Sequence, residues 1–409
     1  MKRILAFILC IGMVLSLSGC ARKVMAEDLM SGITANEVKT DVDLKNSAGI
    51  TDFAVKLFQN SEESGKNTLI SPFSVLCALA MTANGADGET LAQMEKTLGM
   101  SADELNKYLH AYVNSLAQGE KRKLSVANSI WFADRQDFTV NRDFLQTNAD
   151  YFGADIYKAK FDNAARDDIN AWVNNKTDGM IDKIIDEIPG EAVMYLINAL
   201  AFDAEWQTVY KNTQIRNGKF TKEDKTEQNV KMMYADEYLY LQDDNAQGFI
   251  KKYHGGEYAF AALLPDEGVS VSDYVKSLTG EKLSEILANQ QNTLVNAAIP
   301  KFKNECSYEM SEILYKMGMK DAFNVNNADF SKLGKSTDGN IYINRVLHKT
   351  YIEVDERGTK AGAVTAVEMN AEGCAPTEPK KVYLDRPFVY MIIDTQTNFP
   401  LFIGTVMSV

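Results

Sequence analysis

The sequence has few of the residues on which most enzymes depend, and it lacks the common catalytic motifs. Among its 409 residues only three are histidines: His110, His254 and His348. No G-x-S-x-G, H-E-x-x-H, P-loop or G-x-G-x-x-G pattern occurs. A Ser-His-Asp arrangement could assemble from distant residues, but no serine is singled out for it. The sequence therefore predicts that the protein is not an enzyme.

Cysteine is too scarce and too scattered for a disulfide framework or a zinc site. Cys10 lies within an N-terminal apolar run and Cys20 follows that run, while Cys77, Cys306 and Cys374 lie far apart. No pair of them has C-x-x-C spacing. We therefore predict no metal site.

An excess of basic residues is also missing. The chain has 43 Lys and Arg against 56 Asp and Glu, which gives a formal net charge of −13. This acidity disfavours nucleic acid and anionic membranes as partners, because both carry negative charge themselves. We find no basic helix that would bind a heparin-like polyanion.

The N-terminus has the form of a bacterial lipoprotein signal. Two basic residues precede an apolar run over residues 4–17, which is too short for a typical membrane span. The run ends in Leu-Ser-Gly-Cys, which resembles the lipobox, so cleavage before Cys20 would leave that cysteine for lipid attachment. An ordinary secretory signal cleaved nearby is the alternative. We expect a signal peptide over residues 1–19, a flexible polar tether over 20–46, and an acyl anchor at the outer face of the cell membrane.

From residue 47 onward the patterns predict one α+β domain. Apolar spacing predicts a helix over residues 50–58 and a buried helix that is capped by Ser71 and has Pro72 in its first turn. Strand-like runs occur at residues 124–132, 193–202, 228–241, 249–253, 258–264, 293–299, 341–346, 382–384, 388–393 and 401–406. Further helical patterns lie at residues 168–174, 271–278, 281–288 and 308–317. Long strands, with helices clustered in the N-terminal half, favour this class over the βαβ winding of a solute-binding lipoprotein.

One segment near the C-terminus has the pattern of a strand but leads into a loop. One face carries small or apolar residues: Thr359, Ala361, Ala363, Thr365, Val367 and Met369. The other face carries Lys360, Gly362, Val364, Ala366, Glu368 and Asn370. Glycine, proline and charged residues follow, up to residue 381. An ordinary edge strand and a loop that can become a strand both fit this pattern.

Several blocks, taken together and in this order, resemble the serpin family. They are Asn67-Thr-Leu-Ile-Ser-Pro-Phe-Ser, Asn84-Gly-Ala-Asp-Gly-Glu-Thr, Ile169-Asn-Ala-Trp-Val with Thr177-Asp-Gly, Leu196-Ile-Asn-Ala-Leu-Ala-Phe with Trp206, Ile299-Pro-Lys-Phe, His348-Lys before Glu356-Arg-Gly-Thr, Asp385-Arg-Pro-Phe-Val and Pro400-Leu-Phe-Ile-Gly. The resemblance implies a single domain with a large central mixed sheet, two smaller sheets and a helical cluster. It also implies an exposed reactive-centre loop at about residues 356–381.

The resemblance further implies suicide-substrate inhibition of a protease. The protease cleaves the loop and forms an acyl-enzyme; the freed loop then inserts as a new central strand and distorts the protease. Such a native state is metastable. We therefore expect a monomeric, surface-anchored inhibitor of serine or cysteine endopeptidases. It needs no cofactor, because strand formation supplies the energy. A non-inhibitory serpin that acts as a surface binding protein is the alternative, but the small residues of the alternating segment favour inhibition.

Site residues follow from the same resemblance, position by position. The hinge comprises Glu356, Gly358, Thr359, Lys360, Ala361, Gly362, Ala363, Val364 and Thr365. A hydrogen-bonded shutter beneath the sheet opening comprises Ser71, Ser74, Asn198 and His348. The breach, where the loop enters, comprises Trp206, Lys301 and Glu356. Gly358 is expected to give the hinge free backbone dihedrals.

The position of the scissile bond is set by counting from the hinge. With Glu356 as the first residue, the seventeenth is Glu372, which places the bond at Glu372-Gly373. An acidic residue there suits a glutamyl-specific serine protease or a caspase-like cysteine protease. The loop is longer than in familiar members, so Asn370, Ala371 and Cys374 are alternatives, and Ala371 would suit an elastase-like enzyme.

Overall fold

The computed structural model describes residues 24–45, 48–135, 138–189, 192–337, 339–359 and 378–409. Within these ranges nine α-helices are present: α1 (Ala48–Ser61), α2 (Pro72–Ala83), α3 (Gly88–Leu98), α4 (Ala102–Ser115), α5 (Arg142–Phe152), α6 (Asn163–Lys176), α7 (Val271–Ser277), α8 (Gly280–Ala288) and α9 (Ser311–Met317). Two short 3₁₀ helices lie at Asn212–Gln214 and Asp321–Phe323. Across the same described residues, no helix is both long enough and apolar enough to cross a membrane.

The described residues also form eighteen strands. The first nine are β1 (Glu27–Asp28), β2 (Thr68–Ile70), β3 (Arg122–Ala133), β4 (Phe138–Val140), β5 (Asp155–Ala159), β6 (Met194–Glu205), β7 (Ile215–Thr221), β8 (Glu227–Gln242) and β9 (Ala246–Lys252). The others are β10 (Tyr258–Pro265), β11 (Gln291–Pro300), β12 (Phe302–Glu309), β13 (Gly334–Ser336), β14 (Arg345–Val354), β15 (Gly358–Thr359), β16 (Lys380–Tyr383), β17 (Phe388–Asp394) and β18 (Pro400–Val406).

The strands build one mixed central sheet and two further sheets, so the predicted α+β fold is confirmed. The central sheet has seven strands in the order β1-β5-β3-β6-β15-β14-β12. The second sheet has nine strands, and the third pairs only β13 with β4. The expectation of two smaller sheets is therefore wrong for the second one. It is larger because β8, 16 residues long, pairs with β7 and β11 along one part and with β9 at its end, which joins the two halves.

Helix α2 lies in the core between the two large sheets, as its apolar sequence predicts. Every one of its residues is buried, and it contacts β3 and β6 of the central sheet and β18 of the second sheet. The Ser71 hydroxyl oxygen accepts a hydrogen bond from the Ser74 N–H, and Pro72 occupies the first turn. Both features match the known preferences of helix N-termini. The predicted cap is confirmed.

Two predicted boundaries differ from the structure for the same reason. The run at 341–346 predicts a strand, but β14 begins only at Arg345 and continues to Val354. The helical pattern at 308–317 begins too early, because Tyr308 and Glu309 end β12 and pair with β14. In both cases pairing with a strand distant in sequence overrides the local pattern.

The segment expected to be a flexible tether is instead packed against the domain over residues 24–45, so that prediction is wrong for them. β1 extends the central sheet by pairing with β5. Just before it, the N–H groups of Met25 and Ala26 both donate to Asp168 Oδ2, at 2.8 and 2.9 Å. Further hydrogen bonds along the segment join Asn36 to Asp150, Gln146 to Thr34 and Tyr108 to Leu44. The segment looks unstructured in sequence because backbone and short polar groups make these bonds.

Candidate functional site

The alternating segment begins inside the central sheet. β6 and β14 pair in parallel from Tyr195–Arg345 to Leu200–Thr350 and then separate. Beyond that point β15 lies between them, with Gly358 opposite Glu205 and Thr359 opposite Ala204 of β6. Among the described residues no strand lies between residues 201–203 of β6 and residues 351–353 of β14. Over the described residues, β6 and β14 therefore separate below β15 and pair directly with each other further down.

Gly358 is required by close packing and not by an unusual dihedral, which corrects the prediction made for it. It is an extended strand residue and is not among the glycines with a positive φ. A Cβ at this position would lie 2.0 Å from the carbonyl oxygen of Ala204. Only glycine lets the start of the hinge approach β6 this closely.

Thr359 anchors the start of the hinge through a buried hydrogen bond. Its Oγ1 lies 2.6 Å from the Tyr253 hydroxyl oxygen, and both residues are fully buried. The Tyr253 ring stacks on Trp206, with centroids 4.4 Å apart and planes 11° apart. Burial raises the pKa of Tyr253 far above its usual range, so its hydroxyl stays neutral. The sequence did not identify Tyr253, because it lies about a hundred residues before the hinge.

Trp206 also holds the turn that joins β14 to β15. Its indole N–H donates to the carbonyl of Asp355 at 2.8 Å, and its backbone N–H donates to the carbonyl of Arg357 at 2.8 Å. Lys301 and Glu356 form an ion pair beside this turn, with side chains 32% and 31% exposed. Burial alone would raise the pKa of Glu356, but hydrogen bonds, chiefly that from Lys301, lower it overall. The structure thus brings the three predicted breach residues together around the first two residues of β15.

The predicted shutter residues meet where β6 and β14 are still paired. Asn198 and His348 lie directly opposite each other, and His348 Nδ1 is hydrogen-bonded to Asn198 Oδ1. The Ser71 N–H donates to His348 Nε2 at 3.0 Å, so the neutral imidazole carries its proton on Nδ1. Burial lowers the pKa of His348 to about 3. Ser74 adjoins the cluster through Ser71, and Asn128 of β3, which the sequence did not identify, lies 3.4 Å from the Ser74 hydroxyl.

Comparison with known proteins identifies the family. The family model described as Serpin (serine protease inhibitor) matches residues 48–409. The chain belongs to the serpin family. It is 31% identical to leukocyte elastase inhibitor A of Rattus norvegicus, over 87% of this chain and 97% of that protein. The thermophilic serpin tengpin is 53% identical in sequence to this chain. Its crystal structure in the native state matches this structure with a TM-score of 0.90, over 94% of this chain and 100% of tengpin.

A second structure of tengpin bears on the state of the central sheet. The latent state matches with a TM-score of 0.81 over 91% of this chain and 100% of tengpin, at 50% identity. The higher score belongs to the native state, and in this serpin β6 and β14 are still paired below β15. The family is described as one of serine protease inhibitors and not of catalysts. The elastase inhibitor among the relatives agrees with protease inhibition as the general activity.

A buried ion pair beside Trp206 in this serpin was not predicted from the sequence. Lys251 of β9 is 3% exposed, and its Nζ lies 2.7 Å from Glu237 Oε1 of β8. The same Nζ lies 5.4 Å from the Trp206 ring centroid and 4.5 Å from that of Tyr210. Burial raises the pKa of Glu237, and Lys251 opposes that shift only in part. The pair lies against Trp206 and Tyr210, and the Tyr210 N–H in turn donates to the carbonyl of the hinge residue Glu356. Only the folded sheet brings the two strands of the pair together.

The other predicted site residues of this serpin lie outside the described residues. They are hinge residues Lys360, Ala361, Gly362, Ala363, Val364 and Thr365, scissile-bond residues Glu372 and Gly373 with the alternatives Asn370, Ala371 and Cys374, and the lipidation residue Cys20. In the ranges that are described, no group of three or more His, Cys, Asp or Glu side chains could hold a metal ion.

Proposed function

We propose that this serpin is a suicide-substrate inhibitor of endopeptidases that traps the acyl-enzyme by inserting its cleaved loop between β6 and β14. The observation that carries the proposal is the position of β15. β15 ends in Thr359, the first residue of the alternating segment, and it already pairs with both flanking strands: Gly358 and Thr359 pair with β6, and Thr359 pairs with β14. A cleaved loop would need only to continue this strand. The energy would come from new strand pairs and buried side chains.

The register of β15 extends into a detailed pairing for the inserted loop. Gly358 opposite Glu205 and Thr359 opposite Val354 fix the alignment with β6 and with β14. Continued along both strands, this register places Thr365 between Asn198 and His348. The Thr365 hydroxyl would then replace the direct hydrogen bond between Asn198 and His348 with hydrogen bonds of its own to these two residues. This match supports insertion of the segment in this register.

The charged residues of the segment also match the strands that would receive them. In the same register Lys360 falls between Asp203 of β6 and Glu353 of β14. Glu368 falls opposite Arg345 of β14. Both loop charges thus meet the opposite charge on one face of the sheet, which favours this register over a slipped one.

The target and the location form the finer part of the proposal. Glu372 before the cut favours a glutamyl-specific serine protease, whereas Ala371 and the leukocyte elastase inhibitor among the relatives favour an elastase-like enzyme. A caspase-like cysteine protease is a third class that Glu372 would suit. We further propose that a lipid on Cys20 anchors the protein to the outer face of the cell membrane. Mass spectrometry of the membrane fraction, with Cys20→Ser as the control, tests the anchor.

The inhibition experiment uses residues 21–409 and a panel of elastase-like, glutamyl-specific, trypsin-like and papain-like proteases. We expect an SDS-resistant adduct and a released C-terminal peptide whose first residue is Gly373. Thr365→Arg should be cleaved at the same bond without forming an adduct, because the guanidinium would have to enter between Asn198 and His348. Thr365→Ser, which keeps the hydroxyl, should still form the adduct.

Simple turnover would contradict inhibition. If every protease cleaves the loop of the unmodified chain without an adduct, and cleavage does not raise thermal stability, insertion does not occur. The protein would then belong to the non-inhibitory serpins that act as binding proteins. A peptide that begins elsewhere would leave inhibition intact and move only the scissile bond.

A further inference from the structure

The N-terminal segment fixes the point at which a membrane anchor would leave the domain. Met25 and Ala26 are tied to Asp168 of α6 through their backbone N–H groups, and β1 is tied to the edge strand β5. The Met25 side chain nevertheless points into solvent and is 77% exposed, the highest value among the exposed large hydrophobic side chains of the described residues. A rigidly held backbone thus presents an apolar side chain beside the proposed lipid.

The strand registers place this point at the end of the central sheet opposite the hinge. Lys158 of β5 lies opposite Glu27 and beside Phe132 of β3, which in turn pairs with Met194, the first residue of β6. The hinge lies beside Glu205, the last residue of the same strand. β6 has 12 residues, so its ends are about 37 Å apart at about 3.4 Å per residue. We call the end near Glu205 the hinge end and the end near Met194 the distal end.

The described chain enters the central sheet at its distal end. β6 runs from the distal end to the hinge end, and β3 and β5 both run in the opposite direction. Because β1 is antiparallel to β5, β1 runs towards the hinge end, like β6. Within the described chain, residues 24–26 therefore enter β1 from its distal side. From Cys20 to Val24 the chain has four residue steps, which span at most about 14 Å. This reach is less than half the length of the sheet.

We propose that the acylated protein lies on the bilayer with the distal end of its central sheet facing the lipid and the hinge end pointing outward. This inference rests on the proposed anchor at Cys20. It follows because the anchor is short and its point of exit is fixed, whereas the predicted 27-residue tether would have left the orientation free. Met25 then contacts the interfacial region of the bilayer, where a large apolar side chain loses its exposure to water.

The experiment measures the depth of two reporters in the full-length acylated protein, reconstituted in phosphatidylcholine vesicles. One fluorophore is placed at the distal end through Asn163→Cys and the other at the hinge end through Glu120→Cys. Both positions are exposed, and Cys306 and Cys374 are replaced by serine. Quenching by nitroxide-labelled headgroups should be at least threefold stronger at the distal reporter. A matched variant with 20 Gly/Ser residues inserted after Lys23 should lose this difference, because such a linker spans about 25 Å.

The outcomes separate the orientation from the anchor. Equal quenching of the two reporters in a protein that mass spectrometry shows to be acylated would overturn the orientation and leave the anchor standing. Stronger quenching at the hinge reporter would overturn it as well. A protein that carries no lipid and stays out of the vesicle fraction would overturn the anchor, and the orientation with it.

Discussion

Acidification should weaken the closed part of the central sheet through a single histidine. The buried His348 accepts the Ser71 N–H on Nε2 and holds Asn198 through Nδ1. A proton on Nε2 would turn this acceptor into a donor that faces the N–H of Ser71, so the hydrogen bond between them would be lost. The positive charge of the imidazolium would also be buried without a partner. The cluster can therefore accept the proton only by opening, which is also what loop insertion requires.

The size of the effect follows from the pKa of His348. Burial lowers this pKa from its ordinary value of about 6.5 to about 3. Between these two values the native state binds fewer protons than an opened or unfolded state, so native stability is complete above about pH 6.5 and falls as the pH is lowered. At pH 5, 1.5 units below the unperturbed value, the loss is about 2 kcal/mol at about 1.36 kcal/mol per unit. This corresponds to a roughly 30-fold rise in the opened population.

Urea unfolding of the native protein at pH 7.5 and pH 5.0 tests this value. The His348→Gln variant is the control, since it keeps an acceptor for Ser71 but does not titrate. We expect the wild type to lose about 2 kcal/mol more than the variant between the two pH values. The NMR resonance of the His348 ring, identified by its absence from the variant, should not shift between pH 7.5 and pH 5.0. The reasoning is refuted if that resonance titrates near pH 6.5, or if both proteins lose the same stability.

Three further predictions concern the breach. Tyr253→Phe and Thr359→Val each leave the partner hydroxyl buried and unpaired, so each should lower the free energy of unfolding by about 1–3 kcal/mol. In a double-mutant cycle the double variant should lose less than the sum of the two single losses; strict additivity would contradict the hydrogen bond. Gly358→Ala should displace β15 from β6 and speed hydrogen exchange of the Thr359 amide, and unchanged exchange would count against the close contact. Lys251→Met should cost about 3–5 kcal/mol in urea unfolding, because it leaves the Glu237 carboxylate buried and unpaired. Adding Glu237→Gln should recover most of this loss, and no recovery would show that the lysine acts through packing alone.

The sequence carries much of the fold because its patterns are local. The spacing of apolar residues in α2 and the Ser71–Pro72 start of that helix follow from the neighbouring residues alone. The shutter and breach residues could be named only because the family resemblance aligned Asn198 with His348, which are 150 residues apart. Their hydrogen bonds then followed from the parallel register of β6 and β14.

The features that the sequence did not reveal depend on contacts between distant elements. Tyr253 and Lys251 lie on or beside a strand whose pattern indicates only an ordinary sheet strand. Their functional partners come from β15 and from β8. β1 is two residues long, and backbone groups make its bonds, so no side-chain pattern announces it. The same holds for Gly358, where the close approach of β6 and not the turn demands a glycine.

The two proposals meet at the distal end of the sheet. Continued in the register of β15, the inserted loop places Met369 opposite Met194, so that Glu372 and a protease bonded to it emerge at the distal end. β1 lies in the same sheet about 19 Å from the inserted strand, four strand spacings of about 4.8 Å. A trapped protease would therefore occupy the space that an anchor of about 14 Å reserves for the bilayer. Trapping by the anchored protein therefore requires the segment before β1 to leave Asp168, which lengthens the chain between the lipid and the domain.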